Sequence, residues 1–225
     1  MRIWHISDSH TFHKEYKVPE NIDVVAFTGD ESNHMESALN HNEFLDFVEW
    51  FKNIDVRYKL FIPGNHSIWI FNNEKLAKSI LNNNGIIWLH KQELIIEDIK
   101  FYGDGISPTF GNWSYMCKRE KINKHWDQIP EDVTVLLTHT PPKSILDLTE
   151  ECDYNLTMCG CSALLKKVSG LKKLKVHLFG HIHNFKSIVN IGCRELNGIR
   201  FYNGAAIEDG RFDKGVIFNG NIIDI

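Results

Sequence analysis

A chain of 225 residues, 43% of them hydrophobic, holds enough apolar material for one α/β or all-β domain with a large core, which excludes an intrinsically disordered chain. A net charge of -4 leaves no basic surplus for gripping a nucleic-acid backbone, so no extended nucleic-acid binding is expected, while a nucleotide-sized substrate stays open. No apolar run reaches the roughly 18 residues of a membrane-spanning helix, and the strand-like "RIWHIS" stands where a secretion signal would put charge and a long apolar stretch, so a soluble, cytoplasmic protein is expected.

In chain order, short apolar runs alternate with longer amphipathic ones. Ile3 to Ser7, Val24 to Thr28, Tyr58 to Ile62, Ile86 to Leu89, Thr134 to Thr138 and Val176 to Phe179 have the length and composition of buried strands. Helical spacing is expected over Met35 to Lys52, through Leu39, Phe44, Phe47, Val48 and Phe51, and over Glu74 to Asn83 and Ser162 to Ser169. After His183 the runs Ser187 to Ile191, Ile199 to Tyr202 and Val216 to Phe218, divided by Gly and Asn, predict antiparallel strands closing a second sheet. The expected fold is α/β: a two-sheet sandwich in a single domain over residues 1–225. The cysteines (Cys117, Cys152, Cys159, Cys161 and Cys193) are odd in number and irregularly spaced, and read as reduced thiols rather than a disulfide framework. Cys159-Gly160-Cys161 lacks the second pair that structural zinc usually requires.

The strand ends carry the chemistry. The first run ends in Ser7-Asp8-Ser9-His10, the second in Gly29-Asp30, the third in Gly64-Asn65-His66, the Thr134 run in His139 and the Val176 run in Gly180-His181-Ile182-His183. Loops leaving the carboxyl ends of strands in α/β sheets converge on one crevice, so residues far apart in sequence can meet there. Carboxylate, carboxamide and imidazole together suit two divalent transition ions without thiolate. Ions about 3.5 to 4 Å apart need a bridging carboxylate, a role for which Asp30 is the natural candidate. Gly29, Gly64 and Gly180 stand just before ligands, where backbone must come close.

The ordered set D-x-H, GD, GNH, H, G-H-x-H resembles the calcineurin-like metallophosphoesterase superfamily along nearly the whole chain. "FLDFVEWFKNIDVRYKLFIPGNH", "IPEDVTVLLTHTPP", "ILDL" and "GCSALLKKV…VHLFGHIH" are similar to the small metallophosphoesterase-domain branch related to the brain "239" family and its bacterial and viral relatives, over roughly residues 1–205. The resemblance implies the four-layer αββα fold. It also implies one metal held by Asp8, His10, Asp30 and His183, a second by Asp30, Asn65, His139 and His181, and His66 as the catalytic histidine that is not a ligand. Manganese is the expected metal, with iron, zinc, nickel or magnesium as alternatives.

The phosphoprotein phosphatases of this superfamily continue GD with Asp-Arg-Gly and place Glu after GNH, whereas here "GDESNH" and "GNHSIW" follow. The arginine that grips a phosphomonoester is missing at that place. The expected activity is therefore direct hydrolysis of nucleotide-like or other small phosphodiesters by a metal-bridging hydroxide, with Asp30 and His66 central to it. The alternatives are a phosphomonoesterase, protein phosphatases included, and a metal-binding scaffold with little turnover. Candidate substrate contacts are Asn33, Trp69, Phe110 and Trp113. The last two lie in Ile106 to Trp126, an aromatic segment that can either roof the metals and stack a base or cover the sheet edge as core. Lys118, Arg119 and Lys121 read as a solvated charge run able to meet a phosphate. His5, His13, His34, His41, His90, His125 and His177 match no motif and read as surface or core histidines.

Overall fold

The computed structural model describes residues 1–150, 155–209 and 214–225. Its first half runs β1 (Arg2–Ile6), β2 (Val24–Phe27), α1 (Ser37–Lys52), β3 (Tyr58–Phe61), α2 (Ile68–Asn72), α3 (Glu74–Asn83) and β4 (Ile86–Trp88). Then come β5 (Gln92–Ile96), β6 (Ile99–Asp104), a short pair β7 (Ser107–Pro108) and β8 (Met116–Cys117), α4 (Asn123–Trp126), β9 (Val135–Thr138), and a second short pair, β10 (Leu148–Glu150) and β11 (Leu156–Met158). The chain closes with α5 (Ser162–Val168), β12 (Val176–Phe179), β13 (Gly192–Leu196), β14 (Ile199–Asn203) and β15 (Asn221–Asp224).

Two sheets result. The first has the order β15-β1-β2-β3-β4 and the second β13-β14-β12-β9-β6-β5. Each has a parallel interior closed by antiparallel partners: β15 against β1 in the first, and β13 against β14 and β5 against β6 in the second. Alternation along the strands divides their side chains between two cores. Ile3, Val24, Ala26 and Leu60 pack with Val135, Leu137, Val176 and Leu178 in a layer contributed by both sheets. Their neighbours Trp4, Val25, Phe27 and Phe61 pack with Phe44, Phe47 and Phe51 of α1, while Leu136 and Phe179 belong to the same cluster as Leu164 and Val168 of α5. Two sheets back to back with helices outside form the αββα sandwich, and at about 25 cal/mol per Å² of apolar surface removed from water these layers dominate its stability.

The structure corrects the sequence reading in the last third. Ser187 to Ile191 forms only one isolated bridge, Ile188 with Phe185, and the strand begins at Gly192. Val216 to Phe218 is not a strand either; the last strand is β15, and it joins the first sheet beside β1. The β5–β6 hairpin carries no plain sequence signal, because β5 carries polar residues and its two-residue turn, Glu97-Asp98, reaches φ of 48° and 64° without the glycine that usually marks such turns. Among the described residues no helix is long and apolar enough to cross a membrane.

Candidate metal centre

The parallel strands β1, β2 and β3 of the first sheet and β9 and β12 of the second end at the same edge of the sandwich. Asp8 and His10 follow β1, Asp30 follows β2, Asn65 and His66 follow β3, His139 follows β9, and His181 and His183 follow β12. Three overlapping groups form there, each with its ligand atoms within 4.8 Å of one another: Asp8, His10 and His183; His10, Asp30 and His66; Asp30, His139 and His181. Asp30 belongs to two groups, as a bridging carboxylate must. His66 also stands within that range of His10 and Asp30.

The backbone is bent to bring these groups together. Asp8 (φ 52°), His10 (φ 40°), Asp30 (φ 60°) and His181 (φ 70°) all occupy the left-handed region, which residues with a Cβ enter at a cost. Backbone bonds tie the loops to one another: Asp8 N–H donates to the Gly29 carbonyl at 2.8 Å, and His10 N–H to the Asp30 carbonyl at 3.1 Å. Carboxylates clamp neighbouring loops as well, with His66 N–H donating to Asp30 Oδ1 at 2.7 Å and His181 N–H to Asp8 Oδ2 at 2.9 Å. Gly180 leaves room for this, since a Cβ there would lie 2.0 Å from Asp8 Oδ2 and 2.1 Å from Ser7 Oγ.

The donor set fits a cation. His139 Nδ1 lies 2.8 Å from the Thr28 carbonyl, an oxygen that only accepts, so the proton sits on Nδ1 and Nε2 offers its lone pair. That Nε2 is 2.9 Å from Asn65 Oδ1 and 3.3 Å from Asp30 Oδ2, so acceptors converge on one point. Without a cation the only relief is a second proton. Burial opposes charge on His139, but Asp30 outweighs it and raises the pKa to about 9. Burial likewise opposes charge on Asp8, yet the His183 hydrogen bond and the nearby imidazoles bring it down to about 2. His10 and His181, held neutral mainly by burial with pKa values of about 3, already have the protonation state that a metal ligand needs.

These residues open on a cavity of about 680 Å³, within the range of small-molecule sites. His10, Asp30, Asn65, His66, His181 and His183 line its floor; Phe110, Pro108 and Ile182 form an apolar wall, and Arg119, Thr149, Glu150 and Cys159 a polar one. Phe110 lies 5.2 Å from the His181 ring. Trp113 is stacked on His66, with ring centroids 4.1 Å apart and planes at 29°, and it does not line the cavity. Trp69 is buried against His41 and Phe44. The Asn33 side chain is exposed, while its carbonyl lies 3.4 Å from His66 Nδ1.

Three contributors escape a motif reading. Asn40 in α1 donates to the His66 carbonyl at 2.8 Å and accepts from Trp69 N–H at 2.8 Å, fixing the loop after β3. Buried Glu31 accepts from Ser67 Oγ at 2.7 Å, and burial raises its pKa to about 7. Arg119 is exposed, as its place in a solvated run predicts, and also lines the cavity. Among the others, His5 and His177 are buried and hydrogen-bonded to Thr28 and Thr138, the residues just before ligand loops, whereas His34 pairs with Glu43 at the surface.

Residues 1–185 match the family described as calcineurin-like phosphoesterase, and the chain belongs to that family. It is 29% identical over 203 residues to human "Metallophosphoesterase domain-containing protein 1", covering 79% of this chain and 59% of that protein. A UPF0046 protein of Caenorhabditis elegans is 28% identical over 201 residues, covering 83% of this chain and 65% of its own length. The chain thus spans about three-fifths of the curated relatives it matches. A structure titled phosphopantetheinyl hydrolase from Mycobacterium tuberculosis shares the fold, with a TM-score of 0.55 and 15% identity over 89% of this chain and 87% of that one. The family implies two divalent ions, and the clusters of His and Asp described above suit them.

Proposed function

We propose that the protein is a phosphodiesterase that uses two divalent ions, manganese first among them, to hydrolyse small nucleotide-like phosphodiesters in the cytoplasm. The observation that carries this reading is the convergence of seven ligand-type side chains beside His66, five of them (His10, Asp30, Asn65, His181 and His183) lining one cavity with His66 and two, Asp8 and His139, buried beneath it. Asp8, His10, Asp30 and His183 would hold one ion and Asp30, Asn65, His139 and His181 the other. When bound, the pair activates water and neutralises phosphoryl oxygens.

The remaining chemistry falls to the chain. Hydrolysis joins the oxygen of water to phosphorus and breaks the bond to the leaving oxygen, which must gain a proton. His66 is the residue placed to supply it. Its Nδ1 faces the Asn33 carbonyl, so Nδ1 keeps a proton and Nε2 is the nitrogen that can exchange one at the cavity. Trp113, stacked on the ring, and His10, perpendicular to it with centroids 4.6 Å apart, hold the ring plane. Diesters are favoured over monoesters because "GDESNH" carries no Asp-Arg-Gly continuation after Asp30 and so lacks the arginine that grips a phosphomonoester at that place.

The test compares bis-p-nitrophenyl phosphate with p-nitrophenyl phosphate on metal-stripped protein resupplied with Mn²⁺. Diester turnover that requires the metal, falls to background in Asp30→Asn and drops about 10²- to 10⁴-fold in His66→Ala is the expected result. Faster monoester turnover would reverse the substrate preference, and no turnover by metal-loaded protein would leave a binding scaffold.

A further inference from the structure

Resting on that phosphodiesterase reading, we infer that Arg119 forms a second anion site in the cavity, and that the substrate is a phosphodiester carrying another phosphate or carboxylate away from the bond that breaks. Among the described residues Arg119 is the only Lys or Arg lining this cavity. Its guanidinium is held in place: one Nη1–H donates to the Gly160 carbonyl at 3.1 Å and one Nη2–H to the Cys159 carbonyl at 2.9 Å. Those carbonyls fix the fork and, being neutral, do not compensate its charge. Two bonds use two of five N–H donors, so three remain.

The surrounding charges sharpen the assignment. Among the described residues no carboxylate lies within 4.0 Å of the guanidinium, although acidic groups share the cavity. Glu150, on the same wall, is engaged by Lys186 at 2.7 Å. A guanidinium that is pinned and, among the described residues, not neutralised, with donors to spare at the edge of a ligand cavity, is suited to bidentate binding of phosphate or carboxylate. The geometry also accounts for size, since about 680 Å³ far exceeds what one phosphoryl group fills. The scissile phosphoryl would occupy the floor, the body of the substrate the Phe110 wall, and the second anion the Arg119 end.

The experiment uses p-nitrophenyl esters of thymidine 5′-phosphate with and without a 3′-phosphate, and of thymidine 5′-diphosphate, so that the second anion is offered at two distances. At least one added anion should lower KM by about tenfold or more, the size of a charge-assisted hydrogen bond. That advantage should vanish in Arg119→Gln, which keeps a donor but no charge, and survive in part in Arg119→Lys. Bis-p-nitrophenyl phosphate, which has no second anion, reports whether the phosphodiesterase reading itself holds. If no ester is turned over, calorimetric titration with thymidine 3′,5′-bisphosphate against thymidine 5′-phosphate decides: tighter bisphosphate binding that Arg119→Gln abolishes supports the site. Equal KM values for all esters, equal binding, or an advantage that survives Arg119→Gln would overturn it.

Discussion

The metal floor and the wall above it are built in opposite ways. On the floor, short loops are locked by left-handed backbone at Asp8, His10, Asp30 and His181, by carboxylates bonded to neighbouring N–H groups, and by glycines whose replacement would collide with ligands. The aromatic part of the wall is one long segment, Gly105 to Trp126, anchored where Asp104 meets His90 and His125 at 3.3 Å, with Tyr115 and Trp126 buried and Phe110 and Trp113 at the site end. Ion coordination tolerates tenths of an ångström, whereas a cavity wall needs only shape. The floor should therefore fail abruptly when altered and the wall by degrees.

The most severe break is Asp30→Asn, which removes the carboxylate shared by two of the three ligand groups; turnover should fall to background and metal analysis should show ion loss in a protein that still folds. Gly180→Ala is next. Its Cβ would press on Asp8 Oδ2, and a ligand displaced by about 1 Å can cost about 10²-fold in turnover. The contrasting change in the wall, Gly111→Ala, meets only Trp113 at 3.4 Å and should cost about 1–2 kcal/mol for its φ of +56°, read as a lowered melting temperature with turnover kept.

Trp113→Ala lies between the two regions. Freed of its stacking partner, His66 should lose kcat more for an alkyl leaving group, which needs a proton, than for p-nitrophenolate, and combining it with His66→Ala should add nothing further. A rise in KM alone would instead make Trp113 a substrate contact.

Acid separates burial from coordination. His5 and His177, held neutral by burial with pKa values of about 3, favour the folded state above the unfolded value of 6.5 and lose that contribution as pH falls toward 3. In metal-free protein His139, raised to about 9, behaves in reverse: its contribution is complete below 6.5 and drains as pH rises through 9. Melting temperatures of metal-free protein should thus fall on both sides of neutrality, and metal affinity should climb toward pH 9 as His139 gives up its extra proton. A flat profile below pH 6.5 would contradict the assignment of His5 and His177 as neutral core groups. The smallest effect is expected for Phe110→Ala, a rise in KM of less than about tenfold, since one aromatic–substrate contact is worth about 1 kcal/mol.

This division also explains what the sequence made legible. Asp, Asn and His after successive apolar strands are uncommon enough together to be read, and the ligand positions carry their own punctuation in glycine. Strands with continuous apolar runs were equally plain. The wall was ambiguous because Phe110, Trp113, Tyr115 and Trp126 are the same kind of residue, yet Tyr115 and Trp126 are core and Phe110 faces the cavity; only the path of the backbone separates them. Arg119 hid inside a charge run for the same reason, and Asn40 because a helix asparagine announces nothing about a loop 26 residues away. The Asn197-Gly198 turn of β13–β14 follows a familiar hairpin pattern, whereas Glu97-Asp98 adopts the same conformation without its usual residues.

The origin of the ligands has a mechanical consequence. Asp8, His10, Asp30 and Asn65 come from the first sheet, and His139, His181 and His183 from the second, so each ion would be clasped from both sides of the sandwich. Bound metal would then act as a rivet through the seam between the sheets. Sliding one sheet against the other, an otherwise soft motion of an apolar interface, would stretch coordination bonds, and the spacing between the ions would be set by how the two cores settle against each other.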